Sequence, residues 1–214
     1  MKKILALVLA LTMVAAMAAC TPANTDTNDT TPATTEATTE ATTDNKPSLS
    51  FATALDLLNG IWAQFPEEGK FPVMGGDAEN PNWEGPGSVT LPGAEGNALW
   101  NLYVPDEQLA NFTEAATMIH AMNANTFTAG AMKLAEGADA ATVAKALADA
   151  IQNTRWMCGF PERMIVVSVG DYLVVAFGHD GVSYPEGGKL ITEFLTGLQA
   201  EYANAKVLHD APIA

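Results

Sequence analysis

A Thr-rich segment at residues 21–48 constrains this chain more than any other feature. Eleven of its 28 residues are Thr, and it contains no aromatic and no large aliphatic side chain. Such a segment cannot bury enough apolar surface to offset the conformational entropy that it would lose on ordering. We therefore predict a disordered tether at 21–48 and a single folded domain at 49–214.

Residues 1–20 have the pattern of a secretory signal peptide, because Lys2 and Lys3 precede an uncharged apolar stretch that is too short for a typical bilayer span. The stretch ends in Met17-Ala18-Ala19-Cys20, which resembles a bacterial lipobox with Met in place of the commoner Leu. The resemblance implies cleavage before Cys20 and attachment of acyl chains such as palmitate, so that Cys20 anchors the protein to the cell membrane on its extracytoplasmic side. The alternative is an ordinary secretory cleavage site followed by an incidental cysteine.

The charge balance limits the classes of partner. The chain has 25 acidic and 10 basic side chains, and the predicted domain at 49–214 keeps 20 acidic and 7 basic ones, a net charge of −13. Binding to nucleic acid requires clustered Lys and Arg side chains, which this sequence does not have. The acidity therefore excludes nucleic acid as a partner and favours cationic partners.

Apolar spacing predicts an α+β domain with a four-stranded, mostly antiparallel sheet and helices packed on one face. The expected order is helix, loop, short helix, strand-strand, helix, strand-strand, helix. The expected elements are a helix capped by Ser50 and ending by Phe65, a Gly/Pro-rich loop at 67–98, a short helix from Asp106 to Phe112, strands at 115–122 and 127–135, a helix at 139–156, strands at 164–169 and 172–177, and a last helix that follows a capping box of Ser183 and Glu186.

The arrangement from about Asp106 to Tyr202 resembles a family of uncharacterised surface lipoproteins that are common in clostridia and related Gram-positive bacteria, a domain of unknown function. The shared features are the short acidic helix at 106–109, the sequence Gly137-Ala138-Asp139 before a helix, and the hairpin at 165–175. The resemblance implies the α+β fold and the surface location. It implies no catalytic or binding residues.

Few residues suggest catalysis or metal binding. Cys158 has no histidine near it in sequence, so we interpret it as a buried thiol in an apolar environment, and His120 as a core imidazole. The adjacent pairs His179-Asp180 and His209-Asp210 lack the spacing of metal ligands, and we interpret them as residues of solvated loops. We expect no metal or cofactor. The alternative is an envelope hydrolase that acts on wall material through carboxylates or a His-Asp pair.

The loop at 67–98 holds the main candidates for binding. Its polar residues Asp77, Glu79, Asn80, Asn82 and Glu84 could supply oxygen ligands to calcium, but Pro81 interrupts the EF-hand pattern. Trp83 lies among turn-forming residues, and Trp100 and Tyr103 follow. These three aromatic residues are candidate contacts for an envelope protein, a peptide or a glycan, or for a small ligand or cation.

Trp83 has an alternative role as a plug that folds back over the sheet. The loop has few other apolar anchors, which favours the plug. The leading functional hypothesis is nevertheless a membrane-tethered, non-catalytic interaction or structural module at the cell envelope.

Overall fold

The computed structural model of the chain describes residues 50–92, 97–181 and 188–214. The predicted signal peptide with Cys20, the tether at 21–48 and the capping box of Ser183 and Glu186 lie outside these residues. Within the described ranges, no helix is both long enough and apolar enough to cross a bilayer.

The domain is α+β, and its strands all pair antiparallel. The α-helices are α1 (Ala54–Ala63), α2 (Ala140–Gln152) and α3 (Leu190–Glu201). The strands are β1 (Val73–Met74), β2 (Gly87–Val89), β3 (Phe112–His120), β4 (Phe127–Leu134), β5 (Arg163–Val169), β6 (Tyr172–Gly178) and β7 (Lys206–Pro212). The strand order is β1-β3-β4-β6-β5-β7, and β2 also pairs with β3. Short 3-10 helices occupy Glu67–Gly69, Trp100–Leu102 and Asp106–Asn111.

The predicted count of four strands is wrong, because the sheet has seven within the residues that the structure describes. The four predicted strands are β3, β4, β5 and β6, and their sequences are long and apolar enough to be recognised. The other three lie towards the edges of the sheet. Strands β1 and β2 arise from the Gly/Pro-rich loop and have only two and three residues, so they show no periodicity. Strand β7 is largely exposed and carries charges, as edge strands often do.

The prediction that the helices pack on one face is also wrong. Successive residues of a strand point to opposite sides of the sheet, and in β6 both sides are buried. Val174 belongs to the core that α1 and α3 cover, whereas Val175 belongs to the core that α2 covers. A sheet that is apolar on both faces needs cover on both, so the helices divide between them.

The N-cap of the first helix lies three residues after the predicted N-cap, Ser50. Thr53 is the N-cap: its hydroxyl accepts the backbone N–H of Asp56 at 3.0 Å, and the Asp56 carboxylate accepts the Thr53 N–H at 3.2 Å. The carboxylate of Glu114 on β3 accepts the Ala54 N–H at 2.5 Å, which ties the helix start to the sheet.

The position of α2 on its own face of the sheet is tested by a pair of substitutions. Leu147→Ala removes a fully buried side chain from the core under α2 and should lower the free energy of unfolding by about 2–5 kcal/mol. Lys145→Ala, on the exposed side of the same helix, should change it by less than about 0.5 kcal/mol. Chemical denaturation measures both, and equal effects would mean that α2 does not cover the sheet.

Candidate functional site

Trp83 and Trp100 line the same surface groove, a cavity of about 800 Å³. Their side chains are 70% and 68% exposed. The interpretation of Trp83 as a plug over the sheet is therefore wrong. Apolar Met74 and Pro81 and polar side chains also line the groove, and the polar ones include Asp77, Glu79, Thr90 and Asn101. The volume lies within the range of small-ligand pockets, roughly 300–1,000 Å³.

A turn that is closed by hydrogen bonds displays Trp83. Asn82 pairs its backbone with Gly75, with N···O distances of 2.8 and 2.9 Å. The Asn82 side chain donates to the Pro86 carbonyl at 2.8 Å and accepts the Glu84 N–H at 3.1 Å. Because both neighbours of Trp83 are held in this way, the indole projects from a fixed turn rather than from a free loop.

The carboxylate of Asp77 ties this turn region to the segment after β2. It accepts the backbone N–H groups of Glu79 at 2.9 Å, Asn80 at 2.8 Å and Thr90 at 2.6 Å. These bonds, the one from Thr90 foremost, lower the pKa of Asp77 because they stabilise the charged form. The two oxygens of Asp77 are thus used in holding the loop.

Glycines let the loop lie directly on the sheet. A Cβ on Gly75 would come within 2.2 Å of the Thr117 carbonyl oxygen on β3, and one on Gly87 would come within 2.5 Å of the Gly76 nitrogen. These neighbours are backbone atoms, which cannot move aside like a flexible side chain. The Gly content that predicted an irregular loop therefore lets the segment after β1 lie close to both β3 and the start of β2.

The exposure of Trp100 follows from the geometry of its 3-10 helix. Leu99 and Leu102 are three residues apart, so they share one face of a helix with three residues per turn, and both are fully buried. Leu102 packs closely on Gly130 of β4, where a Cβ would lie 2.2 Å from the leucine Cδ1. Trp100 and Asn101, between the two leucines, must then face outward into the groove.

Tyr103, the third aromatic candidate, is not part of the groove. It ends the 3-10 helix with a left-handed φ of 54°. Its ring packs against Trp156 at 5.1 Å and Phe177 at 5.6 Å, in the core under α2. Burial raises the pKa of its hydroxyl. The structure thus groups Trp83 with Trp100 and gives Tyr103 a packing role.

Three of the five polar residues considered for calcium, Asp77, Asn80 and Asn82, hold the loop through side-chain hydrogen bonds. Asp77 and Asn82 bond to backbone groups as described above, and Asn80 donates to the Thr90 hydroxyl at 3.3 Å. Among the described residues, no group of three or more His, Cys, Asp or Glu side chains is placed to hold a metal ion.

The aspartates of the two His-Asp pairs, Asp180 and Asp210, come together around Arg163, which the sequence did not predict. The Arg163 guanidinium donates two bonds of 2.8 Å to Asp210 and one of 2.8 Å to Asp180, and Thr192 also bonds to both Arg163 and Asp180. Arg163 lowers the pKa of Asp210. Placing His209 and Asp210 in a solvated loop was wrong, because they lie in β7, paired with β5. The partners are 17 and 47 residues from Arg163, so sequence spacing gave no sign of them.

Cys158 is exposed, which overturns its interpretation as a buried thiol. Its φ of 63° turns the chain, and the side chains of Asn123 and Asn125 donate to carbonyls of the turn at 2.7 Å. His120, in contrast, is buried as expected, with its ring stacked on Phe71. Desolvation lowers the pKa of His120.

Comparison of the chain with protein-family models, curated proteins and solved structures finds no match.

The role of Asp77 predicts a pH-dependent loop. Because its pKa lies below the ordinary value of 3.8, its contribution to stability is complete above that pH and is lost as the pH falls through the lower folded-state pKa. The NMR shift of the Thr90 amide should therefore titrate with a midpoint below 3.8. Asp77→Asn should abolish this titration, whereas Glu79→Gln should keep it. A midpoint at or above 3.8 would contradict the assignment.

The close approach of Gly87 to the backbone of Gly75 and Gly76 gives a second prediction. Gly87→Ala forces a Cβ against backbone atoms and should lower the free energy of unfolding by about 1–3 kcal/mol. Gly85→Ala is the matched control, because its Cβ would meet only the Asn82 amide at 3.4 Å. Thermal unfolding measures both variants, and equal melting temperatures would show that the loop does not depend on this contact.

Proposed function

We propose that the protein is a membrane-anchored, extracytoplasmic lipoprotein that acts as a non-catalytic binding module at the cell envelope. Cys20 carries the lipid, residues 21–48 form the tether, and the α+β domain presents the groove of Trp83 and Trp100 to a partner. The sequence support is the apolar stretch ending in Met17-Ala18-Ala19-Cys20 and the Thr-rich segment after it. On this proposal, the chain joins the clostridial-type surface lipoproteins that its sequence resembles.

The observation that carries the binding role is the pair of exposed indoles in one groove. Binding sites in proteins are concave and are rich in aromatic side chains, and Trp is enriched among the residues that dominate binding energy. Both indoles are held by ordered backbone, through the turn at Asn82 and through Leu99 and Leu102. A preorganised surface loses less conformational entropy on binding than a mobile one.

A hydrolytic role has less support from the described residues. Asp180 and Asp210 both accept hydrogen bonds from Arg163, and this contact lowers the pKa of Asp210 because it stabilises the charged form. A general acid needs a carboxyl group that holds its proton near neutral pH. Asp180 and Asp210 therefore serve to hold α3 and β7 in place better than they serve acid-base chemistry.

Fatty-acid labelling tests the anchor. In bacterial cells fed an alkyne analogue of palmitate, the wild-type protein should incorporate the label and sediment with membranes. Cys20→Ala should lose the label, because two or more acyl chains are expected at that cysteine alone. Cys158→Ala is the matched control, since it removes the other cysteine and should keep full labelling. Undiminished labelling of the Cys20→Ala variant would refute the anchor.

A further inference from the structure

The charges around the groove point to the chemistry of its ligand. Among the described residues that line it, Asp77 and Glu79 are acidic and none is basic. Asp77 uses its oxygens on backbone N–H groups of the loop, but its charge remains, because bonds to neutral donors do not neutralise it. The side chain of Glu79 is exposed and makes no hydrogen bond or ion pair with another described residue. The groove therefore presents an uncompensated negative potential.

The two indoles add an attraction for cations. The face of a Trp ring is the strongest cation-π acceptor among the side chains. The chain uses this contact elsewhere, with the Lys70 ammonium 5.8 Å from the Trp62 ring centre and that of Lys133 5.6 Å from the Tyr172 ring. In the part of the chain that the structure describes, no cation occupies Trp83 or Trp100. Their faces are open to a cation from a partner.

The geometry points to one class of occupant, and we infer that the groove binds an arginine-bearing segment of an extended polypeptide. This inference rests on the proposed binding module and specifies its ligand. A guanidinium is planar, so it can stack on an indole while its N–H groups bond to the Glu79 carboxylate. The cavity of about 800 Å³ is large enough for several peptide residues, and the net charge of −13 on residues 49–214 attracts a cationic chain over a longer range.

The indole N–H signals provide a direct readout with an internal control. The chain has four Trp residues, and a ¹⁵N-labelled full-length protein gives one indole signal for each. Octaethylene glycol dodecyl ether is a suitable detergent, because it has neither a sugar nor an amine that would compete for the groove. The probe is the acetylated, amidated peptide Gly-Arg-Gly-Arg-Gly. On titration with this peptide, the indole signals of Trp83 and Trp100 should shift. Those of Trp62 and Trp156, which are partly buried against other aromatic rings, should stay in place.

Matched probes separate charge from shape. Citrulline has the shape of arginine without its charge, so the peptide with citrulline in place of both arginines should bind about tenfold more weakly or worse. Chitotetraose, a neutral glycan, should leave all four indoles unmoved. If citrulline binds as well as arginine, or if no probe shifts Trp83 and Trp100, the inference of a cationic ligand is overturned.

Matched variants separate the groove from the general charge of the domain. Glu79→Gln should weaken binding of the arginine peptide several-fold, because it removes the unpaired carboxylate that lines the groove. Glu84→Gln makes the same change of charge beside Trp83 but outside the groove lining, and it should bind like the wild type. Equal weakening by both would mean that long-range charge alone attracts the peptide, and would overturn the site.

The outcomes also distinguish this inference from the proposal on which it rests. If chitotetraose shifts the signals of Trp83 and Trp100 and the arginine peptide does not, the cationic ligand is wrong but the groove still binds a partner. The lipid anchor is judged separately by the labelling of Cys20.

Discussion

The rest of the structure depends on the burial of β6 on both faces. All seven of its residues are buried, as are most residues of its neighbours β4 and β5. A strand of this kind must lie inside the sheet and be covered from both sides. The two helices α1 and α3 cover one face, and α2 covers the other together with the 3-10 helix at Trp100–Leu102. Because the three α-helices cover the faces, other segments form the edges of the sheet. The glycine-rich loop supplies β1 and β2 at one edge, and β7 forms the other edge.

The two edges are secured by different means. Strand β7 buries little apolar surface, and Arg163 compensates by joining it to the end of β6 and to the start of α3 through Asp210, Asp180 and Thr192. The loop edge relies instead on backbone contact, where Gly75 allows a close approach to β3, and Gly87 allows one to Gly75 and Gly76, that no side chain would permit. At the first edge, the charged side chains of Asp180 and Asp210 are both paired with Arg163. The second leaves acidic and aromatic side chains directed to solvent, which is why the chemistry open to a partner lies there.

The sequence predicted the parts of this fold that have strong periodicity. The strands 115–122, 127–135, 164–169 and 172–177 and the helix beginning after Asp139 were located within a few residues, because their apolar patterns are long. Strands β1 and β2 were not predicted, because two or three residues are too few to show a hydrophobic pattern. Strand β7 was not predicted, because an edge strand need not alternate apolar and polar residues. The division of helices between two faces was missed although the evidence was present. The segment from Met164 to Val169 is apolar at nearly every position, as expected of a strand that is buried on both sides.

The sequence predicted which residues were candidates for the site, but not their exposure or which of them lie together. The sequence singled out Trp83 and Trp100, but the plug interpretation assumed that a loop with few apolar residues must bury its tryptophan. The structure holds the loop by other means, through Asp77, Asn82 and glycine contacts, so the indole is not needed as an anchor. Tyr103 was grouped with Trp100 because of its nearness in sequence. Its left-handed backbone turns it away to Trp156, and no spacing rule predicts such a turn at a tyrosine.

The energetic cost of exposing two tryptophans favours the proposal that this surface binds a partner. Burial of a Trp side chain removes up to about 250 Å² from water, so an indole that is about 70% exposed forgoes about 3–4 kcal/mol of hydrophobic stabilisation. The fold does not require a tryptophan at position 83, since the turn held by Asn82 and Pro86 would expose any residue there. At Trp100, the 3-10 helix fixes the outward direction but not the residue type, and a polar side chain would serve packing equally well. Folding therefore does not require a large aromatic side chain at either position, yet both positions carry Trp and both line one groove. On the proposed binding role, a partner that covers an indole would gain the hydrophobic stabilisation that folding leaves unused, and one that covers both indoles in the groove would gain the most.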